Sequence, residues 1–489
     1  MKKIEEYLIT FIAKNNFIKP NNTKDKLVII SLILIMDKLY SSLEKLSNTN
    51  TYEFQNSSYQ NKFLSVETRS LNFSDEVLAI FEQIYSSCEV DEALTSLKSG
   101  EIINDSDNKA VSHLLLRNKV IPFLEKDLPR IKLLKDELIE KNIKNIIVLG
   151  IGGSYEGPKL LLESFNNFSS KTFNFIFITG SDSTEFIEKT KNLSAQETVF
   201  FISSKSLTTT ETLEGFELAK NWLDNELKTD SKNNFFVITA NEKKAKESFL
   251  EENSYFFDNG IGGRYSIWSV VSLPAILHFE DEFLEFQKGG ALVDSLISED
   301  KAFKNLIKKI SFLDIWNNNL LDFKNRIILA YSWPLRSLPD YYQQLEMESL
   351  GKSPGLDSLF KKTSQTIFGG YGPKAQHSYF QQIHQGTSKY CIDLISNKED
   401  LIKSNLVSKQ LQAQKILFEK SPDEFKNTSK IVNANALYNH FEISELNAFN
   451  LGFLIALWEY RTFISAKLLK INPFDQFGVE AGKKLTKEL

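Results

Sequence analysis

Cysteine is scarce in this 489-residue chain: Cys88 and Cys391 stand far apart and form no Cys-x-x-Cys pair. That excludes a zinc ribbon, a dithiol redox motif and a disulfide scaffold, and it fits a reducing cytoplasm. An excess of basic charge is missing as well. Lys plus Arg number 58 against 63 Asp plus Glu, a net charge of −5, so no basic field is available to hold a nucleic-acid backbone. Long apolar runs are also absent. The longest, Leu27–Met36, is too short to cross a bilayer and runs into Asp37 and Lys38, so it predicts a buried helix and no membrane association. What is present is an ordinary globular balance, 42% hydrophobic and 25% charged, which rules out disordered, collagen-like and coiled-coil chains. The 38 phenylalanines show no spacing suited to base stacking and read as core. The length allows about three domains at ~150 residues each.

Residues 1–117 read as a mostly helical region with polar interruptions such as Ser47–Ser58. The texture then changes to short apolar runs at Asn145–Leu149, Phe173–Thr179, Thr198–Ser203 and Phe235–Thr239, separated by helical stretches. Continuous apolar strands alternating with helices are the mark of a parallel sheet covered on both faces. A second set, Arg326–Tyr331 and Tyr390–Ile395, predicts a second α/β unit. No short-period repeat and no low-complexity linker interrupts the chain.

The first strand ends in Gly150-Ile-Gly-Gly153-Ser154-Tyr155-Glu-Gly157-Pro158-Lys159, a glycine-rich turn leading into a helix, where free amides and the helix dipole favour an anion. The dinucleotide fingerprint fails because Tyr155 occupies its last glycine position, and the Walker pattern fails because Pro158 replaces its lysine. Pro158 is expected in the first helical turn, where its missing N–H costs nothing. Alone, the cluster reads equally as a tight strand-to-helix turn. A second candidate anion site, Ser204-Lys205-Ser206-Leu207-Thr208-Thr209-Thr210-Glu-Thr212, gathers hydroxyls around one lysine, a composition suited to a phosphate monoester. Its bland alternative is a Ser/Thr-rich helix cap. Two such loops at the carboxyl ends of strands in one sheet carry more weight than either, because ligands of open α/β sheets bind at that edge.

These motifs resemble those of the glucose-6-phosphate isomerase (phosphoglucose isomerase) family. GIGGSYEGP is similar to the family's GIGGSxxGP, and Ser204–Thr212 is similar to SKTFTTxET. In the same order, Gly262–Ser269 resembles GGRYSxWS, Gln343–Lys352 resembles QQxxMESNGK, Gln376–Thr387 resembles QHxFxQxxHQGT, and Ile471–Lys483 resembles INxFDQxGVExGK. A fainter match over Gly100–Asn104 and Ala110–Arg117 extends the likeness to about residues 100–489. The departures are Leu350 in place of the asparagine of MESNGK, Gly372-Pro-Lys374-Ala375 before the histidine in place of GTNG, and Phe368-Gly369-Gly370 where the family has WGEPG. They imply altered loop packing with the proton-transfer groups kept.

The resemblance implies interconversion of glucose 6-phosphate and fructose 6-phosphate through ring opening and a cis-enediol, without metal or organic cofactor. It assigns ring opening to His377 and Lys483. A histidine of ordinary pKa ~6.5 both gives and takes a proton near neutrality, and a lysine more readily donates one. It assigns proton transfer between the C2 and C1 carbons to Glu348. A carboxylate of ordinary pKa ~4.3 is a weak base toward a C–H bond, so developing negative charge must be stabilised, the task that falls to Arg264. Gln344, four residues before Glu348, shares its face if the segment is helical. Phosphate recognition falls to Gly153, Ser154, Ser204, Lys205, Ser206, Thr208 and Thr209, and sugar contact to Gln344 and Gln476. Seven residues separate Gln476 from Lys483, so a C-terminal helix presenting both to one cleft is expected.

The implied fold is two sugar-isomerase-type (SIS) α/β domains with parallel sheets flanked by helices, at 118–280 and 281–467. The helical region 1–117 packs on the second, and 468–489 forms a C-terminal arm. The implied assembly is a cytoplasmic homodimer in which the neighbouring subunit supplies the ring-opening histidine, so isolated monomers are expected to be inactive. Two other readings compete: a non-catalytic sugar-phosphate-binding protein of the same fold, and an isomerase that also acts on mannose 6-phosphate. The joint presence of Glu348, Arg264, His377 and Lys483 argues against the first, and product analysis separates the second.

Overall fold

The computed structural model describes residues 23–488 apart from 50–51, 105–107, 119–122, 166–171, 356, 427 and 434. Its elements are set by two large sheets, beside a minimal hairpin of Ile103–Asn104 with Lys109–Ala110. Strands β1 (Phe54–Gln60) and β2 (Leu64–Leu71) form a hairpin ahead of both α/β units. Next come β3 (Asn145–Leu149), β4 (Asn174–Ile178), β5 (Thr198–Ser203), β6 (Phe235–Thr239) and the short β7 (Ser254–Phe256). Then follow β8 (Asn325–Ala330), β9 (Thr366–Tyr371), β10 (Tyr390–Asn397) and β11 (Leu437–Ile443).

The first sheet runs β4-β3-β5-β6-β7 with every pairing parallel. Strands β3, β5 and β6 are buried along their whole length, as runs such as NIIVL and FFVIT require when helices cover both faces. The order reverses between β3 and β5, so the loops after these two strands flank the crevice where doubly wound sheets receive ligands. The second sheet repeats the device. Its parallel part runs β11-β10-β8-β9, with β8 and β10 at the reversal.

The amino-terminal region, which reads as mostly helical, also supplies strands. β2 adds antiparallel to β11, and β1 closes that edge, so the second sheet is mixed. The segment FQNSSYQ, which begins inside the polar interruption Ser47–Ser58, is an edge strand whose residues are all half-buried or exposed, so no apolar alternation marks it. The apolar run Leu27–Met36 does lie in a helix, α1 (Thr23–Ser47); of its described side chains Leu34 and Ile35 are 45% and 48% exposed and Met36 packs half-buried on the core. Among the described residues no helix is long and apolar enough to cross a membrane.

Three helices place the site. α2 (Gly153–Phe165) follows β3, and α3 (Thr210–Leu227) follows the hydroxyl loop after β5. α4 (Leu338–Leu350) follows β8 and packs against α2, so the helix after the first parallel strand of each unit meets its counterpart. α2 begins directly at Gly153, which puts Pro158 inside the helix instead of in its first turn and removes one interior hydrogen bond. Behind α4 lies α5 (Ala448–Leu468), buried along nearly its whole length and carrying charge into the core. Arg461 bonds Asp314 at 2.7 Å and Asp393 at 2.9 Å, while Arg326 pairs with Asp314 and with Glu346 of α4. The indole of Trp458 also donates to Glu346 at 2.5 Å. Each charge is paired, which is what permits its burial.

Candidate active site

The glycine turn is shaped by what touches it. Gly152 has φ +59°, a left-handed conformation that favours glycine, and a β-carbon there would sit 2.9 Å from Nε2 of Gln344. A β-carbon on Gly153 would come within 1.8 Å of the carbonyl oxygen of Gly263. The turn therefore presses on the loop that carries Arg264 and on the helix that carries Gln344, and Ser154, half-buried, opens α2 beside them.

The loop after β5 is held by its backbone. The Lys205 carbonyl accepts from Thr239 Oγ1 and from the Ala240 amide, each at 3.0 Å, and Asn241 donates to the Ser206 carbonyl at 3.1 Å. Leu207 takes φ +48° and is buried, anchoring the crest of the loop. Ser204 and Thr209 hydroxyls lie 3.3 Å apart, and those of Ser206 and Thr208 2.6 Å apart. This loop and the glycine turn line the same reversal of the first sheet, so the two candidate anion sites are neighbours in space.

Glu348 and Gln344 share one face of α4, as their spacing predicts: Gln344 Nε2 donates to Glu348 Oε2 at 3.1 Å. Arg264, 2% exposed, lies in the short 3-10 helix Gly263–Trp268, and its Nη1 is 3.5 Å from the same Glu348 oxygen. The guanidinium is aimed by the rest of its donors. Nε bonds Ser349 Oγ at 2.7 Å, Nη2 bonds the carbonyls of Pro473 at 2.5 Å and Asp475 at 2.9 Å, and Nη1 also donates to Gln476 Oε1 at 3.1 Å. A fixed cation beside a partly exposed carboxylate can stabilise negative charge that grows when the carboxylate removes a proton. Glu346, two residues earlier, points the other way, into the buried ion network. Burial raises its carboxyl despite the opposing pull of Arg326 and Arg461. Only Glu348 of the two is presented to the cleft.

Further ties that sequence reasoning missed brace this cluster and join it to the carboxyl-terminal segment. Tyr265 shares the Ser349 hydroxyl at 3.0 Å, and Tyr341 donates to the Arg264 carbonyl at 3.1 Å. Lys352 reaches Asp475 at 2.8 Å and the Asn472 carbonyl, and burial lowers its ammonium while Asp475 opposes that shift. Ser349 and Lys352 stand inside a quoted motif, but their partners Arg264 and Asn472 lie 85 and 120 residues away, so nothing local identifies these roles.

One predicted residue stands apart from this cluster. His377 is exposed on the segment after β9, and among the described residues its ring makes no hydrogen bond or ion pair with Glu348, Arg264 or any other group. Gln476 lies one residue ahead of α6 (Phe477–Glu488) instead of on it, and Lys483 lies within that helix. Leu350 is buried, Lys374 is exposed, and Phe368 packs edge-on against Tyr379 at 5.2 Å. A β-carbon on Gly369 would meet the Ile328 carbonyl at 2.0 Å, so this departure is a packing requirement of the β8–β9 pair. Among the described residues no cluster of His, Cys, Asp and Glu converges as a metal site.

The family profile described as phosphoglucose isomerase matches residues 69–489. A glucose-6-phosphate isomerase of Shewanella frigidimarina is 31% identical over 470 residues, 86% of each chain. One from Wigglesworthia glossinidia brevipalpis is 32% identical, covering 83% of this chain and 82% of its own. Among solved structures, a glucose-6-phosphate isomerase from Chlamydia trachomatis superposes with a TM-score of 0.78 at 24% identity over 94% of both chains, a likeness of fold.

Proposed function

Since the chain belongs to the phosphoglucose isomerase family, we propose how its own residues divide the work of that family's reaction. The reaction interconverts glucose 6-phosphate and fructose 6-phosphate, and this chain is an aldose–ketose isomerase of that kind. The substrate phosphate sits against Gly153 and Ser154 of the glycine turn and the Ser204, Lys205, Ser206, Thr208 and Thr209 loop, where hydroxyls and amides are neutral donors and Lys205 supplies charge. His377 and Lys483 move protons at the ring and anomeric oxygens to open the ring. Glu348 then removes the proton from C2 and returns it to C1 on the same face. Arg264 holds the enediolate oxygens, and Gln344 and Gln476 orient hydroxyls.

The observation that carries this reading is the contact of Glu348 Oε2 with Arg264 Nη1 at 3.5 Å and Gln344 Nε2 at 3.1 Å, beside the glycine turn. Unit 118–280 supplies the phosphate site and unit 281–467 the base. The exposed His377 ring supports its use by a neighbouring copy in a cytoplasmic homodimer, so that a separated monomer lacks ring-opening activity. Sedimentation paired with an activity assay tests this, and a fully active monomer refutes it. A coupled assay on Glu348→Gln tests the base: the variant binds fructose 6-phosphate but loses at least ~10³-fold in kcat. Full activity in that variant removes Glu348 from the mechanism.

A further inference from the structure

The first turns of α2 contain an acid that the isomerase chemistry does not use. Glu156 stands two residues after Ser154 and is half-buried, and its Oε2 is buried without a hydrogen-bond partner. Positions 156, 159 and 163 share one face of α2 at i, i+3 and i+7. Lys159 on that face is drawn elsewhere: its ammonium is 3.7 Å from Asp340 at the start of α4 and 5.0 Å from the centre of the Tyr155 ring. Glu163 pairs with Arg336 at 3.1 Å and accepts from Ser337. From the 3-10 helix that also packs on α2, Arg264 is engaged by Ser349, Gln476 and the carboxyl-terminal carbonyls. Glu156 thus faces two acids, Asp340 and Glu163, and a lysine already shared. Burial pushes its carboxyl up to about 7, with Lys159 opposing the rise and Asp340 and Glu163 adding to it.

We propose that Glu156 makes sugar-phosphate binding proton-linked: as the phosphate settles on the turn beside Ser154, the Glu156 carboxylate takes a proton from solvent, and affinity falls as the solution becomes alkaline. The inference rests on the reading of Ser154 as a phosphate contact. A phosphate held at Ser154, two residues before Glu156, adds negative charge near a carboxylate whose Oε2 is closed to water, which favours the neutral acid. The sign follows from linkage. Binding that raises a group's proton affinity is strongest below the free protein's titration point and weakens as pH rises through it. The substrate's own second ionisation, near pH ~6, acts in the opposite direction by making more dianion as pH rises. The two effects are therefore separable between pH 6.5 and 9.

The test is KM for fructose 6-phosphate across that range, read apart from kcat, in the wild type, Glu156→Gln and Glu156→Leu. The wild-type KM rises about three- to tenfold, the equivalent of a half to one pKa unit, and both variants give a flat profile. Titration calorimetry of fructose 6-phosphate into Glu348→Gln protein, in buffers of different ionisation enthalpy near pH 7.5, reads the proton directly. Uptake of a fraction of a proton is expected, and it disappears when Glu156→Gln is added. A rising KM or a proton uptake that persists without Glu156 overturns the inference, as does a flat wild-type profile. Ser154→Ala separates the two claims: unchanged affinity there overturns the phosphate-site reading, whatever Glu156 does.

Discussion

Replacing Arg264 with lysine keeps the charge and removes the fork, and the geometry sets the consequence. The guanidinium spends Nε on Ser349, Nη2 on the Pro473 and Asp475 carbonyls, and turns Nη1 toward Glu348 and Gln476. A lysine ammonium has three donors at one point and a shorter reach, so it can satisfy the carbonyls or face the reacting oxygens, not both. A unit charge ~4 Å from a developing oxyanion at an effective dielectric near 20 contributes about 4 kcal/mol, and losing its alignment forfeits most of that. The expected result is a fall in kcat of about 10²–10³-fold with KM changed by only a few-fold, the pattern of an interaction made mainly in the transition state. Unsatisfied carbonyls at 473 and 475 cost about 1–3 kcal/mol of stability as well, so kinetics are measured at 25 °C, below any lowered melting point. If KM rises while kcat holds, Arg264 binds the ground state alone and the proposed role is wrong.

Gly153→Ala places a β-carbon 1.8 Å from the Gly263 carbonyl, so the 3-10 helix bearing Arg264 must move; overpacking costs of about 1–3 kcal/mol and a reduced kcat are expected together. Thermal melting and steady-state kinetics on one preparation check it, and unchanged activity at lowered stability uncouples the turn from Arg264. Burial lowers His440 from 6.5 to about 4, with Lys415 adding to the shift, and its Nε2 lies 2.8 Å from Ser396 Oγ. Its unfolded form binds the extra proton first, so its contribution is complete above pH ~6.5 and about 3 kcal/mol is lost as pH falls from there toward 4. Denaturant melts of wild type and His440→Gln across that interval test the sign: the variant's stability lacks this component of the slope.

The first sheet was legible because β3, β5 and β6 are continuous apolar runs bounded by glycine or polar residues, a pattern burial on both faces imposes. β1 was not, because an edge strand of Gln, Asn and Ser carries no apolar alternation, and its pairing is decided by β2 reaching β11 across more than 350 residues. The same split runs through the site. The Gln344–Glu348 contact follows from helical spacing, and Arg264 from its motif. The groups that aim Arg264 come from Ser349 and from carbonyls at 473 and 475, and backbone acceptors have no side-chain signature. The seven-residue spacing from Gln476 to Lys483 overstated its helix by one residue, because α6 starts at Phe477. The run Leu27–Met36 reads as buried from hydropathy alone, yet Leu34 and Ile35 stay open to solvent.

The fixing of α4 has a consequence for where motion is borne during turnover. Glu346, locked to Arg326 and Trp458, ties the helix to a dry lattice of charges that cannot rearrange without stranding an ion. The segment 472–476 is joined to it by a handful of polar ties through Arg264 and Lys352. Helix and tail then differ in how readily they breathe. Amides of α4 are expected to exchange deuterium only on global opening, and those around Phe477 on far faster local excursions that a bound sugar phosphate damps. Glu348 stands on bedrock while Gln476 rides on a tether.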